Sequence, residues 1–199
     1  MPEFVIEDIG PLDVAYSNFA GEGAAEKSNG PLIDLFFRIA QDAYRKESGA
    51  ACPDDRTFRT WMFATQFHLP PNIRWLGVRK APLDTFGPAT EYEFWLSYGR
   101  RVRMPEGVDV KRVCPGLFAT LPADFTGRQL FDAGAIQQGW KDLIGSVKAA
   151  GLETDSRPYI EEHMQKTNDG GWSGMKLMLP IKLETLPEAM KNGLVYIKS

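Results

Sequence analysis

The clearest alternation of apolar and polar positions lies in EYEFWLSYGRRV, residues 91–102. Tyr92, Phe94, Leu96 and Tyr98 would share one face of a strand, and Glu91, Glu93, Trp95 and Ser97 the other. A second alternating pair lies in SRPYIEEHMQKTNDGGWSGMKLMLPI, residues 156–181, about a turn of Asn168, Asp169, Gly170 and Gly171. Helical spacing governs two other segments. From Pro31, suited to a first turn, Leu32, Leu35, Phe36, Ile39 and Ala43, with Ile33 and Phe37, make a broad apolar face that Gly49 ends. Ile136, Trp140, Leu143, Ile144 and Val147 give residues 135–150 an amphipathic stripe, with Gly151 as its stop. The run Phe4–Ala15 reads as strand, turn, strand about Gly10-Pro11. GEGAAEKSNG, residues 21–30, is Gly-rich without the strand-to-helix setting that would cradle phosphates, and reads as a loop.

The plan then restarts. VKRVCPGLFA (110–119) overlays IEDIGPLDVA (6–15), with Val110 on Ile6, Val113 on Ile9, Pro115 on Pro11 and Ala119 on Ala15. FTG (125–127) follows as FAG (19–21) does, and a helix and two strands come after in both halves. The expected fold is α+β: one domain over 1–199, built of two strand-helix-strand-strand modules about a pseudo-twofold axis. Module one spans about 1–103 with an insertion near 50–75, module two about 104–183, and 184–199 is an extension. The sheet face turned away from each helix must be covered by the twin module, the insertion or a ligand.

Composition narrows the partners. The 199 residues are 43% hydrophobic and 25% charged with net charge −3, which attracts neither nucleic acid nor an acidic membrane. No apolar stretch is long enough to span a bilayer. Cys52 and Cys114 stand far apart without metal spacing, and no secretory signal is seen, so a cytoplasmic setting is expected. Five Trp are enough to line a cavity as well as fill a core. There is no nucleophile motif or dinucleotide fingerprint, and no second His or Cys stands at ligand spacing from His163, so neither cofactor nor metal is expected.

AIQQGWKDLIGSVKAAGLE, then PYIEEHM, then MKLMLPI, resembles the GyrI-like small-molecule-binding superfamily. That group includes effector-binding domains of multidrug-sensing regulators, gyrase-inhibitor-like proteins, and a branch that hydrolyses cyclopropane-containing toxins. The likeness covers 104–183 best, then 4–21 and 90–99, and least 50–75. It implies two modules with a ligand cleft between them. Family members usually carry an acid followed two residues later by Tyr in the penultimate strand. Here Glu161 keeps the acid and His163 replaces the Tyr. Where drug-binding members often have a second Glu, this chain has Lys176, and the matching strand of module one has Glu93. The two are expected to face each other across the axis.

The candidate ligand-binding residues are Glu93, Trp95, Tyr159, Glu161, His163, Trp172, Lys176 and Met178. Trp61 and Trp75, with Phe63, join them if the insertion forms an aromatic lid, the alternative being plain core. Glu161 is the candidate catalytic residue: a desolvated cleft carboxylate can hold a cation or act as general base. An edge-strand acid in water is the other reading. Glu162, next in the strand, points to the opposite face. Tyr159 and His163 share the face of Glu161, where the imidazole could bond the carboxylate or a ligand.

The resemblance implies a stand-alone binder of hydrophobic, aromatic or cationic small molecules, acting as a sensor or sequestering protein, as monomer or homodimer. No helix-turn-helix precedes the first strand, so direct DNA binding is not expected. A toxin-opening hydrolase using Glu161 is the alternative, and a gyrase- or other protein-binding inhibitor is a second.

Overall fold

Glycine marks both helix ends, as the pattern predicts. A computed structural model describes residues 4–21, 24–52, 54, 58, 74–79, 91–97, 104, 106, 108–123, 133–163, 175–188 and 195–197. Gly49 (φ 66°) and Gly151 (φ 73°) sit in the left-handed region that terminates helices α1 (Ala24–Ser48) and α2 (Ala133–Ala149). After α2, the Leu152 N–H returns to the Val147 carbonyl at 3.1 Å. The start of α1 differs from expectation. The run read as a loop is helical from Ala24, and Pro31 lies inside the helix. Strong helix formers ahead of it (Ala24, Ala25, Glu26 and Lys27) carry the helix about two turns further back, which outweighs the bond that Pro31 cannot donate.

The strands are β1 (Val5–Ile9), β2 (Leu12–Ala20), β3 (Trp75–Arg79), β4 (Glu91–Ser97), β5 (Asp109–Val113), β6 (Gly116–Ala123), β7 (Tyr159–His163), β8 (Met175–Pro180) and β9 (Val195–Ile197). They form one curled sheet in the order β5-β2-β4-β3-β7-β8-β6-β1-β9, antiparallel except for β9, which lies parallel to β1. Helix α1 packs on β2 and β4, and α2 on β6 and β8. Each helix buries its stripe: Leu32, Leu35, Phe36 and Ala40 in one core, Trp140, Leu143 and Val147 in the other. The opposite face holds a third core of Ile9, Leu12, Val14, Leu76, Val78, Trp95, Phe118, Ile160 and Met178. The protein is thus α+β, two β-α-β-β modules about a pseudo-twofold axis between β3 and β7. No helix among the described residues is long and apolar enough to cross a membrane.

The expected N-terminal hairpin is not formed. β1 leaves its chain neighbour β2 and pairs with β6, while β5 leaves β6 and pairs with β2. One shift of 104 residues turns the pair Ile9–Gly116 into Val113–Leu12, so the two modules exchange their outer strands reciprocally and in the same register. The charges explain the choice. β5 brings Lys111 to Glu93 on β4 and Arg112 to Asp13 on β2. β1 brings Glu7 to Lys176 on β8, 3.1 Å away. Local hairpins would instead set Glu7 and Asp8 against Glu93 and Asp13, and Lys111 against Lys176. Like charges there would be costly because Glu93 is nearly buried.

Replacing Lys111 by Met removes the ammonium from the nearly buried Glu93 carboxylate and is expected to lower stability by about 1–3 kcal/mol, below the full cost of breaking a buried pair because Lys111 is partly solvated. Adding Glu93→Gln should recover most of that loss in urea melts. A double variant no more stable than Lys111→Met would show that the pair does not support the exchange.

Candidate functional site

The strand pair between the two helices carries the site. β3 and β7 run antiparallel with Trp75 opposite His163, Gly77 opposite Glu161 and Arg79 opposite Tyr159. Alternation puts these six on the helix-covered face, together with Tyr92 and Phe94 from β4. Glu161 is 7% exposed. Its Oε2 accepts the Tyr92 hydroxyl at 2.7 Å and its Oε1 the Trp140 indole N–H at 3.0 Å. Both donors are neutral, and among the described residues Glu161 has no ion pair.

Gly77 makes this arrangement possible. A Cβ there would overlap the Tyr92 hydroxyl, so the missing side chain is the space through which the phenol crosses β3 to reach Glu161. Burial, then the charge of Glu161 and its hydrogen bond, hold the Tyr92 pKa well above 10.0, so the phenol stays a donor.

Aromatic rings extend from the two donors of the carboxylate. Tyr92 lies 5.1 Å from Phe94, Phe94 6.1 Å from Trp75, and Trp75 4.8 Å from Phe36 of α1. On the other side Tyr159 stands 6.0 Å from Trp140. His163 packs on Phe94 at 5.6 Å. Burial lowers its pKa from 6.5 to about 4, against an opposing pull from Glu162, so the imidazole is neutral at pH 7.

The remaining candidates lie elsewhere. Glu93, Trp95, Lys176 and Met178 are on the opposite face of the sheet, so Glu93 and Glu161 do not share a cleft. Glu93 accepts from the Trp95 indole and Lys111, whose ammonium lies 4.0 Å over the Tyr16 ring. Lys176 bonds Glu7 and sits 3.4 Å from Glu162, and the Thr120 hydroxyl holds the other Glu7 oxygen. Glu162 takes a two-bond fork from Arg74, both at 2.7 Å. Although burial opposes ionisation, Arg74 and then Lys176 hold its pKa below 4.5.

Trp75, placed in the insertion by sequence, belongs to β3 and packs beneath α1. Phe58 is buried in that same core. Trp61, Phe63 and Trp172 lie outside the described residues, and with them the lid expectation. A recess of about 560 Å³ lined by Asp8, Leu117, Asp155, Arg157 and Lys182 contains none of the candidates. Its Arg157 is already spent on Asp155 and the carbonyls of Pro115, Leu117 and Ile181. No three His, Cys, Asp or Glu among the described residues converge as a metal site requires.

The pattern missed Tyr92, Trp140 and Gly77. Tyr and Trp each carry a polar tip that counts as apolar in a periodicity, and a Gly inside a strand signals a close approach without naming its visitor.

This arrangement is shared, at the level of the fold alone, with solved structures of low sequence identity. The chain resembles the EcmrR C-terminal domain with a TM-score of 0.54 at 12% identity, covering 90% of this chain and 97% of that one. A hydrolase from Listeria innocua follows at TM-score 0.53 and 11% identity, covering 92% and 94%. A hydrolase encoded by lin2189, also from Listeria innocua, gives 0.52 and 12% over the same shares. No family sequence model and no curated protein matches the chain.

Because His163 is neutral in the fold and titrates near 6.5 once unfolded, the unfolded chain binds the extra proton. Stability should therefore be unaffected above pH 7 and fall as pH drops from 6.5 toward 4, by roughly 1–3 kcal/mol. Glu162, with its lowered pKa, adds loss only below about pH 4.5. Urea melts at pH 7.0 and 5.0 on wild type and His163→Gln test this. The variant should lose most of the difference, and an unchanged difference would assign it to another group.

Proposed function

We propose that this protein binds a small molecule on the helix-covered face through the Glu161 carboxylate, with Tyr159, Trp75, Phe94 and His163 as the surrounding aromatic and imidazole surface. One observation carries the reading. A carboxylate buried at the centre of a sheet is held by two neutral donors and, among the described residues, makes no ion pair, although Arg79 stands on the same face. A negative charge in such a place is stabilised by a counter-charge, which a cationic ligand brings while its apolar body meets the rings. The preferred ligands are hydrophobic or aromatic, with a cationic or hydrogen-bonding head. The role is that of a cytoplasmic sensor or sequestering protein. Glu93, Trp95, Lys176 and Met178 have structural work on the other face; Trp61 and Trp172 are kept as candidates for the rest of the binding surface.

A hydrolytic reading is kept for the same carboxylate, because the neutral imidazole of His163 lies two residues along on the same face. Glu161 would then deprotonate or position water against a neutral electrophile.

Glu161→Gln separates the two. Its amide oxygen can still accept from Trp140, and its NH₂ can meet the Tyr92 oxygen, so the fold is expected to survive. Under binding, a lipophilic cation followed by Trp fluorescence should weaken by roughly 10- to 150-fold, on the order of 1.5–3 kcal/mol, while a neutral isostere changes little. Under hydrolysis, a neutral electrophile should still bind while turnover, read by product analysis, falls by a factor of roughly 100 to 10,000. The control is Glu106→Gln, an exposed turn acid, because Glu162 carries its own ion pairs. Equal effects of the Glu161 and Glu106 substitutions would refute the site.

A further inference from the structure

Gly77 and Glu161 are directly opposed, and the pseudo-twofold axis passes between them. They are therefore twins: one position raises a carboxylate from the sheet, and the other raises nothing. The volume left over Gly77 is filled by the Tyr92 phenol, which comes from the neighbouring strand. Its ring rests against Phe94, and its hydroxyl donates to Glu161 Oε2. An aromatic ring with one donor, seated on an aromatic neighbour and bonded to the buried acid, is the pose that the proposed function assigns to a ligand.

We infer that Tyr92 is an intramolecular occupant of the Glu161 site, and that a ligand binds by displacing its hydroxyl from the carboxylate. This rests on the reading of Glu161 as the ligand-binding acid, and it adds a specificity. The ligand class is a planar aromatic body of about one ring at the acid, bearing a phenolic or ammonium donor, since that is the shape and chemistry that the phenol satisfies. Three features fit displacement better than a permanent strut. The donor is neutral, so a cation outcompetes it for the carboxylate. Trp140 holds the other oxygen, so Glu161 keeps its orientation when Tyr92 leaves. Gly77 presents no Cβ on the path of the phenol.

The test uses the full chain, with benzylammonium, phenol and toluene as probes. In Tyr92→Phe the ring stays and the competing hydroxyl is gone, so benzylammonium should bind about tenfold tighter than to wild type, by fluorescence or calorimetry. In Tyr92→Ala the vacated space should accept phenol. Millimolar phenol should raise the Tm of that variant by several degrees, toluene less, and neither should move the wild-type Tm comparably. Adding Glu161→Gln to Tyr92→Ala should narrow the gap between phenol and toluene. Benzylammonium binding to Tyr92→Phe unchanged or weaker than wild type would overturn the inference. So would a phenol shift equal in wild type and Tyr92→Ala. The two readings fail separately. If Glu161→Gln weakens benzylammonium while Tyr92→Phe leaves it unchanged, the site stands and displacement falls. If wild type binds no cation but phenol selectively stabilises Tyr92→Ala, displacement geometry stands and the proposed ligand class falls. Should Tyr92→Ala not fold, the Tyr92→Phe comparison decides alone.

Discussion

A carboxylate at the centre of a sheet must be satisfied there, and Glu161 is satisfied from both modules at once. Tyr92 reaches it from β4 of one and Trp140 from α2 of the other. Leaving either oxygen without its donor would cost about 1–3 kcal/mol in so buried a place. Much of the surrounding structure follows from that requirement. Position 77 has to be glycine for the phenol to cross it. Helix α2 has to present Trp140, not its Gln or Lys face, toward the axis. The β3–β7 register has to oppose Gly77 and Glu161, since a slip of one residue would send Glu161 to the other face.

That other face has a different logic. Its acids are matched by cations: Glu93 by Lys111, Glu7 by Lys176, and Glu162 by Arg74 and Lys176. Glu7–Lys176 and Lys111–Glu93 are twins under the pseudo-twofold with their signs reversed. A repeat with identical halves would give each outer strand two equally good homes. Reversed polarity gives each one home, and that home is in the opposite module. The gain is in pairing specificity more than in stability, which is the best-attested use of buried charge.

The sequence shows the repeat more clearly than the pairing. The overlay of 110–119 on 6–15 has the same shift that relates the two edge registers, because residues in equivalent strands face equivalent neighbours. The alternation of β4 and β7 correctly separates Glu93 from Phe94 and Glu161 from Glu162, for side-chain parity within a strand is local. Which parity faces the helices depends on phase between strands, and that is not local. Alternation alone therefore does not reveal that Glu93 and Glu161 lie back to back. The hairpin at Gly10-Pro11 is absent for the same reason: its turn signal is sound, and the ammonium groups that favour the exchange, Lys111 and Lys176, stand far along the chain from it. Trp75 shows the limit of counting aromatics: as the first residue of β3 it is core, and only the register with His163 reveals that it also borders the site.

The buried carboxylates of the described sheet are Glu7, Glu93 and Glu161. Two of them already have an ammonium, and a ligand cation could reach either only by displacing a charge that also holds an exchanged strand in place. Function placed there would compete with folding. Glu161 is held by neutral groups that belong to side chains already anchored by packing, Trp140 within the α2 core and Tyr92 against Phe94. Exchanging a phenol for a cation at that acid breaks one neutral hydrogen bond, forms a charge-assisted one, and leaves every ion pair of the sheet intact. The division of labour between the faces, ion pairs for topology and neutral donors for the acid, lets the centre of the fold change partners without loosening the fold.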